Sequence, residues 1–224
     1  MTIEASTKKT KTHTVYRNKA GDQVPGVTTM TGQLDKPALL YWAWNLGMEG
    51  IDFRKYRDEK ADIGTCAHEI ITESLQGREI DEGIYAPTLL SAAQNSALSF
   101  WEAVKGDEYE VLGVEMPLVS EQYQYGGTCD IYWRYKPAGR DWRFRLTDLK
   151  TGKAIFPEMF AQVAGGYMPL LVENGYPVDE VEILNVPRIE DDAFDRQLIK
   201  PEKLPGYQEA FRILRRLYRL KKDL

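Results

Sequence analysis

The sequence has few of the residues that hold zinc ions or iron–sulfur clusters, with 2 cysteines and 2 histidines among its 224 residues. A structural zinc site or an iron–sulfur cluster usually takes about four ligands, more than Cys66 and Cys129 supply by themselves. We therefore expect no iron–sulfur cluster. His13 lies in a polar, Lys- and Thr-rich opening segment, so any histidine-dependent chemistry falls to His68.

Long hydrophobic runs and an excess of positive charge are also absent. No apolar run approaches the ~20 residues that a membrane span needs, and the opening MTIEASTKKTKTHT lacks the apolar core of a signal peptide. We therefore expect a cytoplasmic protein with no membrane partner. Because the formal net charge is -5, a nucleic acid would have to meet a local basic surface.

The rest of the composition, 43% hydrophobic and 28% charged, is typical of a globular protein. We expect residues 1–13 to be a disordered tail and residues 14–224 to form a single domain. Within that domain, residues 14–107 would hold a hairpin and helices, residues 108–190 a sheet and a helix, and residues 191–224 a C-terminal helix.

Hydrophobic spacing predicts the elements of the first half of the chain. VYRNKAGDQVPGVTTM indicates a short hairpin that turns at Lys19 to Asp22. KPALLYWAWNLG, with Pro37 at its start, predicts a helix with apolar residues on nearly every face, which we expect to be buried. DIGTCAHEIITESLQG and APTLLSAAQNSALSFWEAVKG predict two further helices.

The second half of the chain changes to the spacing of strands. YEVLGVEMPLVS, YGGTCDIYWRYK and DWRFRLTDLK predict an antiparallel meander. A helix from Pro157 to Gly175 leads to a fourth strand, VDEVEILNVPRI, which can lie parallel to an earlier one. The amphipathic, basic GYQEAFRILRRLYRLKK predicts a final helix. The expected fold class is α/β, with helices flanking a central mixed sheet of about four strands.

The segment TDLKTGK carries the first candidate site. Side chains alternate along a strand, so Asp148 and Lys150 share one face, ~7 Å apart along the chain, while Leu149 packs on the other. The neighbouring strand carries Asp130, and two aspartates on adjacent strands can share a hard cation such as Mg²⁺. The alternative is a solvated Asp–Lys pair that contributes under about 1 kcal/mol.

Three nearby features favour a site. His68 on its helix can join carboxylates around Mg²⁺ or Mn²⁺, or it can be an ordinary core histidine. Glu115 lies among apolar strand residues and points either outward or toward the site. Gly165 and Gly166 each cost about 1 kcal/mol in a helix interior relative to alanine, so either the sheet or a ligand must approach that backbone closely.

Taken in order, GTCAHE, GGTCDIYW, TDLKTGK and QVAGGY resemble the motifs of the PD-(D/E)XK nucleases of the RecB-like exonuclease group. VTTMTGQLDKPALLYWAWNLG is similar to the segment that opens phage and prophage members and the mitochondrial genome maintenance exonuclease. The missing cysteines place the resemblance with cluster-free relatives of the CRISPR-associated RecB-like nucleases. It covers nearly all of the chain and implies a restriction-endonuclease-like core with an N-terminal helical portion.

The resemblance implies a role for each matching residue. His68, Asp130, Asp148 and the backbone carbonyl of Leu149 would bind the catalytic Mg²⁺ or Mn²⁺. Lys150 would orient the attacking water and help to deprotonate it.

Three further residues also match the family, but the resemblance implies a less specific role for each of them. Glu115 corresponds to a glutamate often found two strands before the Asp–Lys strand. Gln162 and Tyr167 would position that strand or a DNA phosphate. In the family the Gln and Tyr are one helical turn apart, whereas here they are one residue further apart and would not share a face of a regular helix. Either the helix bulges at the glycines or one of the two assignments is wrong.

The expected function is therefore a metal-dependent DNA exonuclease of phage or prophage type that hydrolyses phosphodiester bonds in recombination or repair, in the cytosol of a bacterial host. In this group a histidine at this position is associated with exonucleases more than with endonucleases. The alternatives are an endonuclease of the same fold and a catalytically silent module that binds DNA or a recombination partner. The expected partners are linear DNA ends or single strands, and a single-strand annealing or other recombination protein.

Two features stay open at this point. Cys66 and Cys129 are either small buried residues or an oxidation-sensitive pair beside the proposed ligands. The final basic helix either offers DNA a positive surface or is a solvated helix whose apolar stripe packs on the core. That stripe consists of Ile213, Leu214, Leu217 and Leu220.

Overall fold

The computed structural model describes residues 14–34, 36–137, 139–189 and 192–222. The predicted tail at residues 1–13, with His13, lies outside the described residues. A five-stranded mixed sheet is packed between two helical layers. The α/β class and the mixed sheet are thus confirmed.

The N-terminal half is a hairpin followed by helices. The hairpin, β1 (Tyr16–Arg17) and β2 (Gln23–Val24), turns where the sequence predicts. The helices are α1 (Val27–Thr31), α2 (Pro37–Met48), α3 (Phe53–Leu75) and α4 (Pro87–Ala103). The short helix α1 occupies the end of the segment predicted as a hairpin, so that prediction was wrong for its last residues. No helix in the described part of the chain combines the length and hydrophobicity needed to cross a bilayer.

Local sequence determines where the helices begin and end. Proline occupies the first position of α2 and α4, where a backbone N–H would have no partner inside the helix. The Asp52 side chain accepts hydrogen bonds from the N–H groups of Arg54 and Lys55 and so caps α3. Gly77, with a φ of 71°, takes the left-handed conformation just after α3 ends.

Helix α2 is largely exposed, so the prediction that it is buried was wrong. Within it only Leu46 is buried. Its outer face, 62–74% exposed, consists of Leu40, Tyr41, Trp44 and Met48. The helix is held to α3 through Trp42, whose ring centroid lies 5.1 Å from that of Phe53. The sequence shows that α2 has apolar residues on nearly every face, but it does not show whether another element packs against each face.

The main sheet has the strand order β3-β4-β5-β6-β7. Its strands are β3 (Glu108–Ser120), β4 (Tyr125–Lys136), β5 (Arg143–Lys150), β6 (Glu180–Asn185) and β7 (Asp195–Leu198). The first three form the predicted antiparallel meander, and β6 pairs parallel to β5. Strand β7, antiparallel to β6, is an edge strand that the sequence pattern did not predict.

The connection from β5 to β6 is helical. It consists of α5 (Pro157–Phe160), a π-helical segment (Ala161–Tyr167) and α6 (Met168–Glu173). Helix α7 (Leu204–Lys222) packs beside the π-helical segment and α1.

The two faces of the sheet bury different residues. On β5, Leu146 packs with Tyr132 and Ile183 under α6 and α7, whereas Leu149 packs with Trp133 under α3 and α4. Because side chains alternate along a strand, Asp148 belongs to the face of Leu146.

Helix α7 buries a different stripe from the predicted one. Phe211 and Leu214 are buried, but Ile213, Leu217 and Leu220 are 58%, 41% and 54% exposed. The prediction was therefore wrong for three of its four residues. The orientation of the helix follows from Phe211, which packs against the bare backbone of Gly165.

Candidate metal centre

Three side chains from three elements converge at one end of the sheet: His68 of α3, Glu115 of β3 and Asp130 of β4. One ligand atom from each lies within 4.8 Å of the others. His68 Nδ1 is 3.8 Å from Glu115 Oε1 and 3.9 Å from Asp130 Oδ2. The structure therefore brings together two of the predicted metal ligands, and Glu115 points inward to join them.

A β-bulge gives Glu115 its position. The β3–β4 register shifts between Val111 and Gly113, after which Val114 pairs with Ile131. The next step along this register places Glu115 opposite Asp130. Glu115 has a φ of 46°, a left-handed conformation that is uncommon for a residue with a side chain. Backbone strain of this kind is concentrated at functional sites.

Asp130 lies where the pairing of β4 with β5 ends. The last paired residues are Ile131 and Thr147, and Asp130 Oδ2 accepts a hydrogen bond of 2.8 Å from the backbone N–H of Leu149. Burial, followed by the negative charge of Asp148, raises the pKa of Asp130 to about 6. When no cation is bound, ionisation of the Asp130 carboxyl therefore costs more free energy in the folded protein than it does in water.

Asp148 forms an ion pair with Lys150. Its side chain is only 3% exposed, and Lys150 Nζ also donates a hydrogen bond of 3.3 Å to the carbonyl of Leu149. Burial by itself would lower the pKa of Lys150, but the carboxylates of Asp148 and Asp130 outweigh burial and raise it. Lys150 is thus protonated at neutral pH.

The cluster differs from the predicted ligand set. The prediction grouped His68 and Asp130 with Asp148 and the carbonyl of Leu149. In the structure those last two groups contact Lys150 Nζ, and the third member of the cluster is Glu115.

Burial would lower the pKa of His68, but Asp130 and Glu115 outweigh that effect and raise it. Protonation of the imidazole is therefore more favourable here than in an ordinary histidine when no cation is present. A metal ion at Nδ1 would have to displace that proton.

The π-helical segment brings Gln162 and Tyr167 together. A π-helix is closed by hydrogen bonds between residues five apart, so positions five apart share one face. Gln162 Nε2 donates a hydrogen bond of 3.2 Å to the Tyr167 hydroxyl. The helix bulges at the glycines, and both residues lie on one face.

Tyr167 has a hydroxyl hydrogen that it can donate at this site. Burial, with the charges of Asp148 and Asp130, raises its pKa well above the ordinary value. The phenol therefore stays protonated, and its O–H can donate while the oxygen accepts from Gln162.

Helices, rather than the sheet or a ligand, approach the two glycines of the π-helical segment. A Cβ added to Gly165 would lie 2.5 Å from the carbonyl oxygen of Tyr207 on α7, and one added to Gly166 would lie 2.6 Å from Val27 of α1. Both alternatives for these glycines were therefore wrong. On the sheet, a Cβ added to Gly127 would lie 2.8 Å from the Tyr167 ring.

The cluster opens into a cleft of about 780 Å³. One wall holds His68, Glu115, Asp130 and Tyr167, and the hairpin, α1 and Tyr218 of α7 form much of the rest. The Tyr16 and Thr128 hydroxyls are hydrogen-bonded at 2.9 Å, which fixes the hairpin to β4. The cleft has the size of sites that enclose a small ligand or a short piece of a polymer.

The two cysteines lie in different clusters. Cys66 packs with Ala67 and Ala93, and Cys129 lies on the other side of the sheet with Tyr132. Burial raises the pKa of Cys66 to about 12 and that of Cys129 well above its usual value. Both are unreactive thiols, which favours the interpretation as small buried residues.

Sequence reasoning missed one cation near the cluster. Arg188 Nη2 donates a hydrogen bond of 3.2 Å to Thr151 Oγ1. Thr151 directly follows Lys150, a position that could have drawn attention to it. Arg188 lies 37 residues further along the chain and carries no local signal.

No family model and no curated protein matches the chain. One solved structure that resembles it, described as the crystal structure of SSO0001, is 14% identical in sequence. The match covers 69% of this chain and 74% of that chain, with a TM-score of 0.28. A score this low carries no argument about the fold family.

Proposed function

We propose that the protein is a divalent-metal-dependent nuclease with a PD-(D/E)XK core, and that it hydrolyses DNA phosphodiester bonds as an exonuclease. The observation that carries the proposal is the convergence of His68, Glu115 and Asp130 on one wall of the cleft. The Asp148–Lys150 pair follows on the neighbouring strand.

The donor set fits a hard divalent cation. Glu115 and Asp130 lie opposite each other on adjacent strands, where like charges are destabilising unless a cation neutralises them. Carboxylate oxygens suit Mg²⁺ and Mn²⁺, and a neutral imidazole suits Mn²⁺ in particular. His68, Glu115 and Asp130 would hold the ion.

A bound divalent ion would lower the pKa of a water molecule and neutralise charge on a phosphate. The neighbouring side chains supply the remaining functions. The Lys150 ammonium is a second positive group that does not compete for the metal, and it can orient a water molecule or a phosphate oxygen. The Tyr167 hydroxyl, held by Gln162, can donate a hydrogen bond to a phosphate oxygen.

Two observations support an exonuclease over an endonuclease. The resemblance associates a histidine at the position of His68 with exonucleases. The cleft of about 780 Å³ is also small compared with a duplex, so a strand end enters it more readily than the middle of a closed circle.

The test is an assay on end-labelled linear DNA and on closed circular DNA, with Mg²⁺ or Mn²⁺ and with EDTA. We expect short products from linear DNA only, dependent on the cation. Asp148→Ala and Lys150→Ala should each lower the rate by on the order of 10²-fold or more, because the Lys150 ammonium supplies positive charge beside the reacting phosphate and Asp148 holds that ammonium in place.

Lys105→Ala is the matched control, since Lys105 is exposed and forms an ion pair with Glu102 on α4, away from the cleft. This variant should cleave at the wild-type rate. Cutting of closed circles would replace the exonuclease by an endonuclease. DNA binding without cutting of either substrate would favour a catalytically silent binding module.

A further inference from the structure

A second group of polar side chains lies where the two parallel strands end. The register of β5 and β6 pairs Lys150 with Asn185, and the Val186 N–H donates a hydrogen bond of 2.7 Å to the Lys150 carbonyl. Thr151 and Arg188 follow at this edge. In open α/β sheets, ligands bind beyond the carboxyl ends of parallel strands.

Arg188 is a half-buried cation without an acidic partner among the residues that the structure describes. Its guanidinium donates from Nη2 to Thr151, while its buried Nε–H has no hydrogen-bond partner in the described part of the chain. Leaving a buried N–H unpaired costs about 1–3 kcal/mol, and more when the group is charged. Among the described residues, the Nε–H of Arg188 therefore lacks an acceptor.

The other deeply placed arginines of the sheet are neutralised. Arg145 forms ion pairs with Glu180 and Glu182, and Arg196 pairs with Glu182. At Arg188, by contrast, burial lowers the pKa of the guanidinium. In a chain with a net charge of -5, a partly buried cation with no acidic partner in the described ranges favours an anion from outside.

Thr151 prepares the same site for an anion. Its side chain accepts the bond from Arg188, so its own hydroxyl hydrogen is available for a donor role. A guanidinium with free N–H groups beside a hydroxyl is a donor set that suits phosphate oxygens.

Helix α3 connects this site to the metal cluster. A Cβ added to Gly64 would lie 2.9 Å from Thr151 Oγ1 and 3.9 Å from Arg188 Nη2, so both side chains lie against the bare backbone at Gly64. Gly64 and His68 are four residues apart and share one face of the helix, ~6 Å apart along its axis.

We propose that Arg188, held by Thr151, binds a phosphate of the nucleic-acid strand next to the phosphate that reaches the metal cluster. The ligand class is a phosphodiester backbone, and the contact positions the strand without reading its sequence. This inference rests on the proposed nuclease function and adds a positioning residue to it.

The test measures binding of a fluorescein-labelled oligothymidylate by anisotropy, in EDTA and with Ca²⁺, over a range of salt concentrations. Arg188→Ala should weaken binding about tenfold and reduce the slope of log K against log[salt] by about 0.7, the value for one phosphate contact on a single strand. With Mg²⁺ and the same DNA, KM should rise more than kcat falls.

Arg134→Ala is the matched control, because Arg134 is an exposed arginine paired with Glu110 near the opposite end of β5. It should change the affinity less than twofold. Arg188→Lys, which keeps the charge, should keep the salt slope. If Arg188→Ala does not fold, Thr151→Val replaces it, with an expected loss of affinity of about threefold and an unchanged melting temperature.

A strictly structural Arg188 gives a different pattern. Arg188→Ala and Thr151→Val would then lower the melting temperature, but both variants would bind DNA with the affinity and salt slope of Arg134→Ala. That result would overturn the inference. Cleavage of DNA by the wild-type protein would still uphold the proposed nuclease. Absence of DNA binding by the wild-type protein, in EDTA and with Ca²⁺ alike, would overturn both.

Discussion

Glu115 and Asp130 show how a candidate functional site can oppose stability at the level of single residues. The two carboxylates face each other across β3 and β4, and Glu115 is held in a left-handed conformation. Such a conformation costs about 1–3 kcal/mol. The surrounding fold must therefore stabilise an arrangement that these residues would not adopt for packing alone.

Asp130→Asn should make the cation-free protein more stable. The substitution removes a buried negative charge, while its side-chain oxygen can still accept the Leu149 N–H. In EDTA at pH 8 we expect a gain of on the order of 1–2 kcal/mol in the free energy of unfolding. Binding of Mn²⁺, measured by calorimetry, should be lost.

The same gain should depend on pH. Folding raises the pKa of Asp130 from its ordinary value of 3.8 to about 6. The native wild-type protein is therefore penalised above that pKa and recovers stability as the pH falls through it. The advantage of Asp130→Asn should thus shrink at pH 5. The control Asp58→Asn changes an exposed residue paired with Arg57 and should have little effect. Lower stability of Asp130→Asn at pH 8 would contradict the argument.

At the scale of elements, the π-helical segment links the site to the packing of α7. Its glycines let α7 and α1 approach the backbone closely. This contact fixes the segment that carries Gln162 and Tyr167.

Gly165→Ala should destabilise the protein by about 1–3 kcal/mol, because the new methyl group overlaps the backbone of α7 at Tyr207. Urea unfolding measures the change. Gly47→Ala is the control, since Gly47 lies within α2 with no neighbouring atom within 4 Å of an added Cβ. That substitution should stabilise the protein by about 0.5–1 kcal/mol. Equal effects of both substitutions would show that α7 does not pack tightly on the segment.

The elements differ in how far sequence predicts them. Strands β3, β4 and β5 and helices α3 and α4 form where the sequence pattern predicts them, because each of these elements carries enough apolar residues of its own to signal its type. β7 has only four residues and no alternating apolar residues. The π-helical segment depends on α7, which lies about 40 residues further along the chain.

The residues of the candidate site also differ in how far the sequence predicts their positions. Strand period alone placed Asp148 and Lys150 on one face and Leu149 on the other. The position of Glu115 depends on a register shift near Leu112, and that of Arg188 on a contact between the ends of two strands. Such positions are set by tertiary pairing, which local pattern does not contain.

At the scale of the whole molecule, a buried ionic network joins the strands on the side of α4. Glu182 of β6 accepts from Arg145 of β5 at 3.3 Å and pairs with Arg196 of β7 at 3.0 Å. Arg196 also pairs with Asp107, just before β3. The fully buried carboxylate of Glu182 thus connects β5, β6 and β7 through ion pairs. Arg196 extends the network to the residue before β3.

Glu182→Gln should destabilise the fold by about 3–5 kcal/mol, because it leaves Arg145 and Arg196 with less negative charge to neutralise them. Glu110→Gln is the matched control: Glu110 is exposed and pairs with Arg134, so its loss should cost under about 1 kcal/mol. Chemical denaturation of both variants measures the difference. Similar losses would show that the network does not hold the sheet together.

The π-helical segment also bears on how this chain is compared with proteins that carry a Gln and a Tyr on one face of a regular helix. Gln162 and Tyr167 are five residues apart in sequence, yet they meet as residues one α-helical turn apart would. In an alignment this geometry corresponds to a one-residue gap inside a helix, where gaps are ordinarily penalised. A search pattern that fixes the Gln–Tyr spacing at a single α-helical turn passes over this chain.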